Sequence, residues 1–242
     1  MPIRNVLYLH GFASSPNSTK AALLRDRLAP FGIALRAPDF NEPDFSTLTV
    51  TRMLDETARE LARLPAGPVA LVGSSLGGFV AVHAAARQAA VASLILLAPA
   101  FEFGRTRLRQ ATPTRVPRRV LNAAAALGAP RWGPRQLGEG GVERWKATDR
   151  LEVFHYGYGE TREVHYELYE DAQRYDAFSL RLDVPTVIVY GTRDESVEPA
   201  SVERWAHGRS NVTLRPVVDG HQLANSRDVI WQETAKALGL KT

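Results

Sequence analysis

The sequence predicts an α/β chain: a three-layer α/β/α sandwich on a mostly parallel sheet of about six strands, interrupted by a mainly helical cap insertion. Three observations carry this. Short runs that are apolar on both faces recur along the chain, as in Val69-Ala70-Leu71-Val72 and Val187-Ile188-Val189. Segments of helical periodicity lie between them. The alternation lapses over residues 101–182 and resumes at Val184. Strands that read apolar on both faces belong to sheets covered on both sides, which is the condition of a parallel sheet.

The elements follow in order. Residues 5–9 form a short strand that ends at His10-Gly11-Phe12. Residues 18–28 read as a helix, with Ser18 or Thr19 as cap and Ala22, Leu23 and Leu28 on its apolar face. A short strand over 33–36 stops at Pro38-Asp39, and a second helix over 47–64 closes at Pro65-Ala66-Gly67. The strand over 69–72 leads into a helix from Leu76 to about Ala89, and a strand over 92–97 ends at Ala98-Pro99-Ala100. Residues 101–182 hold 11 of the 20 aromatic residues, with helices expected over 120–127 and 161–177 and a loop at 138–141. Strands return over 185–191 and 212–218, and a last helix over 226–238 covers the sheet. The domain plan is a core of residues 1–100 and 183–242, with 101–182 as a cap at the carboxyl edge of the sheet.

Composition bounds the function. A chain of 242 residues can bury one sizeable core, and 45% hydrophobic with 23% charged residues is ordinary for a globular domain. No run approaches the roughly 18 apolar residues of a membrane span, and no basic-then-apolar leader opens the chain, so a cytoplasmic protein is expected. The absence of cysteine excludes disulfides, thiolate catalysis and cysteine-based metal sites. The formal charge of +4 raises nucleic acid as a partner. Arg105, Arg107, Arg109, Arg115, Arg118 and Arg119 form the densest basic stretch, but no reading motif accompanies them, so a solvated arginine-rich surface is the simpler account. No H-E-x-x-H, dinucleotide G-x-G-x-x-G or G-K-[ST] phosphate loop is present, so no metal or other cofactor is expected.

Chemistry concentrates at strand ends. Gly73-Ser74-Ser75-Leu76-Gly77 is a G-x-S-x-G string between a strand and a helix, the setting in which a serine stands at the apex of a sharp turn. Asp194 follows the strand over 185–191, and His221 follows the strand over 212–218. Ser75 is the candidate nucleophile, His221 the base that takes its proton, and Asp194 the acid that orients the imidazole. The backbone N–H groups of Leu76, at the helix start, and Phe12, after the first strand, are the candidate oxyanion hole, with Gly11 allowing close approach.

Neighbouring residues have plainer readings. Ser74 packs or bonds below the apex. His10 supports the oxyanion loop rather than acting as a base, and Asp39 stiffens the site entrance. Glu195 is a weak rival to Asp194. Asp219 is too local to His221 to sit behind its ring and serves the turn. His83 packs on the elbow helix, while His155, His165 and His207 have no matching acid.

These motifs resemble the α/β-hydrolase superfamily, in which nucleophile, acid and histidine follow in this chain order. More narrowly, H-G-F-A-S-S-P-x-S-x-K over His10 to Lys20, with G-S-S-L-G-G, resembles the small bacterial YqiA-like esterases. The resemblance covers residues 5–99 and 184–238. It implies a reduced sheet lacking the superfamily's first strands, and a triad of Ser75, Asp194 and His221. The insertion over 101–182 is longer than in that group. The expected activity is a carboxylesterase-like serine hydrolase acting on a small-molecule ester with a small or medium acyl group, in a monomer or small homo-oligomer. A thioesterase, an amidase or peptidase, or a C–C bond hydrolase would use the same triad, and a non-catalytic binding protein would use the same fold. Trp132, Trp145, Phe154, Tyr156 and Tyr158 either line an acyl pocket or form a core for the cap.

Overall fold

The computed structural model describes residues 3–103 and 141–241. Six strands form one parallel sheet: β1 (Asn5–Leu9), β2 (Leu35–Arg36), β3 (Val69–Ser74), β4 (Val91–Leu97), β7 (Thr186–Gly191) and β8 (Val212–Val217). Their order across the sheet is β2-β1-β3-β4-β7-β8. The sequence step from β1 to β2 runs one way and every later step runs the other. The order therefore reverses between β1 and β3, and the crevice beyond their carboxyl ends is where open α/β sheets bind ligands.

The pleat sorts side chains into two layers. Leu7, Leu9, Leu71, Leu94 and Leu96 point to one face, where α2 (Val50–Ala62), α3 (Leu76–Ala85) and α6 (Pro199–Ala206) cover them. Val6, Tyr8, Ala70, Val72, Ile95 and Val189 point to the other, under α1 (Thr19–Leu28) and α7 (Arg227–Leu238). Caps set the helix starts. The Ser18 side chain accepts from the Ala21 N–H, and the Thr49 side chain from the Arg52 N–H. Every residue of α3 is buried, so this helix has no polar face to betray it in the sequence.

Between β4 and β7 the described residues hold α4 (Gly141–Thr148), β5 (Arg150–His155), β6 (Glu160–His165) and α5 (Glu167–Ala172). β5 and β6 pair antiparallel, with Val153 opposite Arg162 and His155 opposite Glu160. The helix expected over 161–177 is thus replaced in its first part by a strand, and the helix proper is only Glu167–Ala172. Gly159, at φ 73°, makes the turn that lets the two strands meet, and Val153, His155 and Val164 alone are buried among their residues. The segment is fastened to the core. The Asp171 carboxylate accepts from the Thr51 N–H at 2.7 Å and the Thr51 hydroxyl at 2.6 Å, at the start of α2. His155 Nε2 lies 2.9 Å from Asn41 Oδ1, and Gly157 N–H reaches Ala13 O at 3.4 Å. The helix expected over 120–127, the loop residues 138–140, Trp132 and the arginines between 105 and 119 lie outside the described residues.

Candidate active site

Ser75 sits between β3 and α3 with φ 52° and ψ −117°, a conformation that L-residues avoid and that surrounding structure must enforce. Its N–H donates to Leu97 O at 3.0 Å, and its carbonyl accepts from the N–H groups of Gly78 and Ala100 at 2.9 and 3.1 Å. Two glycines make the turn fit. A Cβ on Gly77 would lie 2.0 Å from Leu9 O, and one on Gly73 would lie 2.5 Å from Gly77 O. The elbow is therefore pressed against the end of β1. Ser74 is buried beside it, whereas Ser75 is half-buried and open to approach.

His221 comes from the loop after β8. Its Nε2 lies 3.1 Å from Ser75 Oγ and its Nδ1 lies 2.8 Å from Asp194 Oδ2. A carboxylate can only accept, so Nδ1 carries the proton and Nε2 is left to accept from the Ser75 hydroxyl. Asp194 is itself oriented, because its Oδ1 accepts from the N–H groups of Ser196 and Val197, each at 2.8 Å. The loop carrying His221 is tied by Asp219, whose carboxylate accepts from the Gly220 N–H, the Asn225 N–H and the Ser226 hydroxyl. These bonds hold the Asp219 carboxyl below the usual carboxylate range, although burial alone would raise it. The structure thus brings Ser75, His221 and Asp194 into one hydrogen-bonded line, gives Asp219 the turn, and leaves Glu195 exposed.

Phe12 and Leu76 frame the other side of the serine. Leu76 is the first residue of α3, where N–H groups have no partner one turn back. Gly11 faces the elbow so closely that a Cβ there would lie 3.2 Å from both Ser74 O and Ser75 Cβ. His10 Nδ1 lies 2.8 Å from Gly11 O, and the Phe40 N–H donates to its Nε2 at 3.0 Å. Nδ1 is therefore the donor to Gly11 O. Because the Gly11 carbonyl and the Phe12 N–H belong to one planar peptide unit, fixing the first fixes the direction of the second. Asp39 stands 3.5 Å from His10 Nε2 and accepts from Asn41, bonds that keep its carboxyl low against the opposing effect of burial.

The other histidines are structural. His83 bonds Phe79 O on α3, and burial holds its imidazole below its ordinary range. His155 is pushed down to about 4 by burial, and stacks on Tyr158 at 4.3 Å between ring centroids. His165 pairs with Asp149. The aromatic residues divide: Trp145 packs against Tyr166 and Tyr169 inside the insertion, whereas Phe154, Tyr156 and Tyr158 are 46%, 43% and 40% exposed. Two residues here escaped the sequence reading. Asn41 joins His155 to the Ser14 carbonyl, and Lys20 reaches Ser74. Lys20 had a signal, its place in the H-G-F-A-S-S-P-x-S-x-K string. Asn41 had none.

Comparison with known proteins agrees with this architecture. Residues 5–111 match the model of UPF0227, an uncharacterised protein family, over the stretch that carries the YqiA-like motifs. No curated protein matches the chain. Among solved structures, a protein from Agrobacterium vitis is similar at a TM-score of 0.75 and 19% identity, covering 97% of this chain and 87% of that one. The mouse α/β hydrolase domain-containing protein 10 is similar at 0.70 and 19%, covering 97% and 89%. Est1E from Butyrivibrio proteoclasticus, with ferulic acid bound, is similar at 0.70 and 17%, covering 98% and 90%. At these identities the likeness shows the fold, which is the α/β-hydrolase fold.

Proposed function

We propose that this α/β-hydrolase chain is a serine hydrolase that cleaves carboxylic esters of small to medium acyl groups through an acyl-enzyme. The observation that carries the reading is the unbroken line Ser75 Oγ, His221, Asp194 at 3.1 and 2.8 Å. Ser75 Oγ attacks the acyl carbon while His221 Nε2 takes its proton. The carbonyl oxygen becomes an oxyanion beside the Phe12 and Leu76 N–H groups, where one well-placed donor is worth about 3 kcal/mol. Collapse of the tetrahedral adduct breaks the ester C–O bond, and the imidazolium returns its proton to the leaving alcohol. A water then repeats the sequence on the acyl-enzyme, releasing the acid and restoring Ser75. Asp194 keeps its charge throughout and steadies the imidazolium.

Esters are the first choice because an alkoxide leaves more readily than an amine and the site shows no device for protonating a poorer leaving group beyond His221 itself. The ferulic acid bound to Est1E makes hydroxycinnamate esters one arm of the test. The experiment is a panel of p-nitrophenyl esters from acetate to octanoate, methyl ferulate, acyl-CoA thioesters and aminoacyl anilides. Hydrolysis is expected to favour the acetate-to-hexanoate esters over thioesters and anilides by tenfold or more in kcat/KM. Turnover confined to thioesters or anilides would reassign the class, and no turnover of any would contradict a hydrolase.

A further inference from the structure

Lys20, the second residue of α1, directs its ammonium toward the elbow. Its Nζ donates to Ser74 Oγ at 3.3 Å, one residue before the nucleophile. Among the described residues no carboxylate comes within 4.0 Å of it. An ammonium that leaves water and gains only a hydroxyl is expensive to keep charged. The groups facing it from the packed elements are few. Ser74 comes from β3, and Tyr8 from β1, with the Tyr8 hydroxyl 3.2 Å from Ser18 Oγ. Asp194, from the loop after β7, and Asp219, from the loop after β8, are the charges it feels. Both belong to the ends of strands that place His221.

We propose that Lys20 is a positioning residue of the catalytic line, whose fixed positive charge behind Ser74 steadies Asp194 as a carboxylate and keeps resting His221 free of a second proton. This rests on the serine-hydrolase reading above. Lys20 touches no reacting atom. Its role is a field, and fields are reciprocal: the charge that Asp194 lends to Lys20 is the charge that Lys20 lends to Asp194. Burial pulls the Lys20 ammonium down to about 8, while Asp194 and Asp219 pull it back up. At neutral pH it is therefore charged, and a nearby cation disfavours protonation of the His221 imidazole.

The test compares wild type, Lys20→Met and Lys20→Arg by the pH dependence of kcat/KM on a p-nitrophenyl ester, whose acid limb reports the free enzyme's base. In Lys20→Met the acid limb is expected to move up by about half a pH unit, the size of effect one charge exerts across several ångströms of protein. Lys20→Arg keeps the charge and is expected to hold the wild-type limb. A second measurement needs no change at Lys20 in the sample. The chain has four lysines, so a ¹³Cε-lysine spectrum has four resonances to follow. One is expected to titrate near 8, and Asp194→Asn is expected to move that titration further down. A Lys20→Met limb that coincides with wild type, or a lysine titration indifferent to Asp194→Asn, overturns the role of Lys20. An active wild type with either result overturns Lys20 alone, whereas a wild type inert to the whole substrate panel overturns the hydrolase reading with it.

Discussion

His10 and His221 stand just past the carboxyl ends of two parallel strands, β1 and β8, and both are buried, at 1% and 9% exposure. Their partners separate them. His221 lies between a carboxylate and a hydroxyl, so a proton can enter at Nε2 and the resulting charge is met at Nδ1. His10 lies between the Gly11 carbonyl and the Phe40 N–H, two backbone groups that exchange no protons. One imidazole is built to change its charge and the other to keep its shape. Position at a strand end does not decide the role of a histidine; the acid–base character of what touches its two nitrogens does.

That contrast can be broken by removing each ring. His221→Ala is expected to lower kcat by about 10⁴-fold or more with little loss of stability, since it removes the only base in reach of Ser75. His10→Ala is expected to lower kcat by about 10- to 100-fold while leaving the acid limb of the pH profile in place, because it loosens the Phe12 N–H without touching the proton path. It also leaves the Gly11 carbonyl and the Phe40 N–H unpaired, so a stability loss of about 1–3 kcal/mol is expected by denaturant titration. Equal kinetic losses, or a displaced acid limb in His10→Ala, would erase the distinction.

A smaller effect sharpens it from the side of stability. The folded chain binds the Lys20 proton less tightly than the unfolded chain does, so between about pH 8 and roughly 10.4 the unfolded state holds more protons. The Lys20 contribution to stability therefore improves as pH rises through that window and is at its worst below it. Lys20→Met is expected to raise the Tm by a few degrees at pH 7. The gain should shrink as pH approaches 10. A gain that grows with pH, or a loss at pH 7, would contradict the sign.

The elbow and the insertion also differ in how legible they were. Around residues 69–78 one pattern has one solution: an apolar strand, two glycines whose Cβ atoms would collide with backbone, and a serine between them. The order of Ser75, Asp194 and His221 could be read because each follows a strand apolar enough to recognise. In the insertion the signal is thin. β6 reads Glu-Thr-Arg-Glu-Val-His, with only Val164 buried, and a strand that hides one side chain looks like a polar helix. Its pairing with β5 is a contact between segments, which periodicity within either segment does not register. Lys20 was visible in a motif but silent in role, because a lysine on a helix reads as solvated until its neighbour, here Ser74 from a distant strand, is known. Asn41 bridges His155 and the Ser14 carbonyl across three separate stretches of chain, and nothing local marks it.

The most direct measurement is intact-mass analysis after treatment with a fluorophosphonate, with peptide mapping of the adduct. Such reagents phosphonylate a serine whose hydroxyl is deprotonated by a neighbouring base. The expected result is one adduct per chain, on Ser75, lost in Ser75→Ala and slowed by orders of magnitude in His221→Ala. A wild-type chain that stays unmodified, or an adduct that persists in Ser75→Ala, would contradict the assignment of Ser75 as a nucleophile activated by His221.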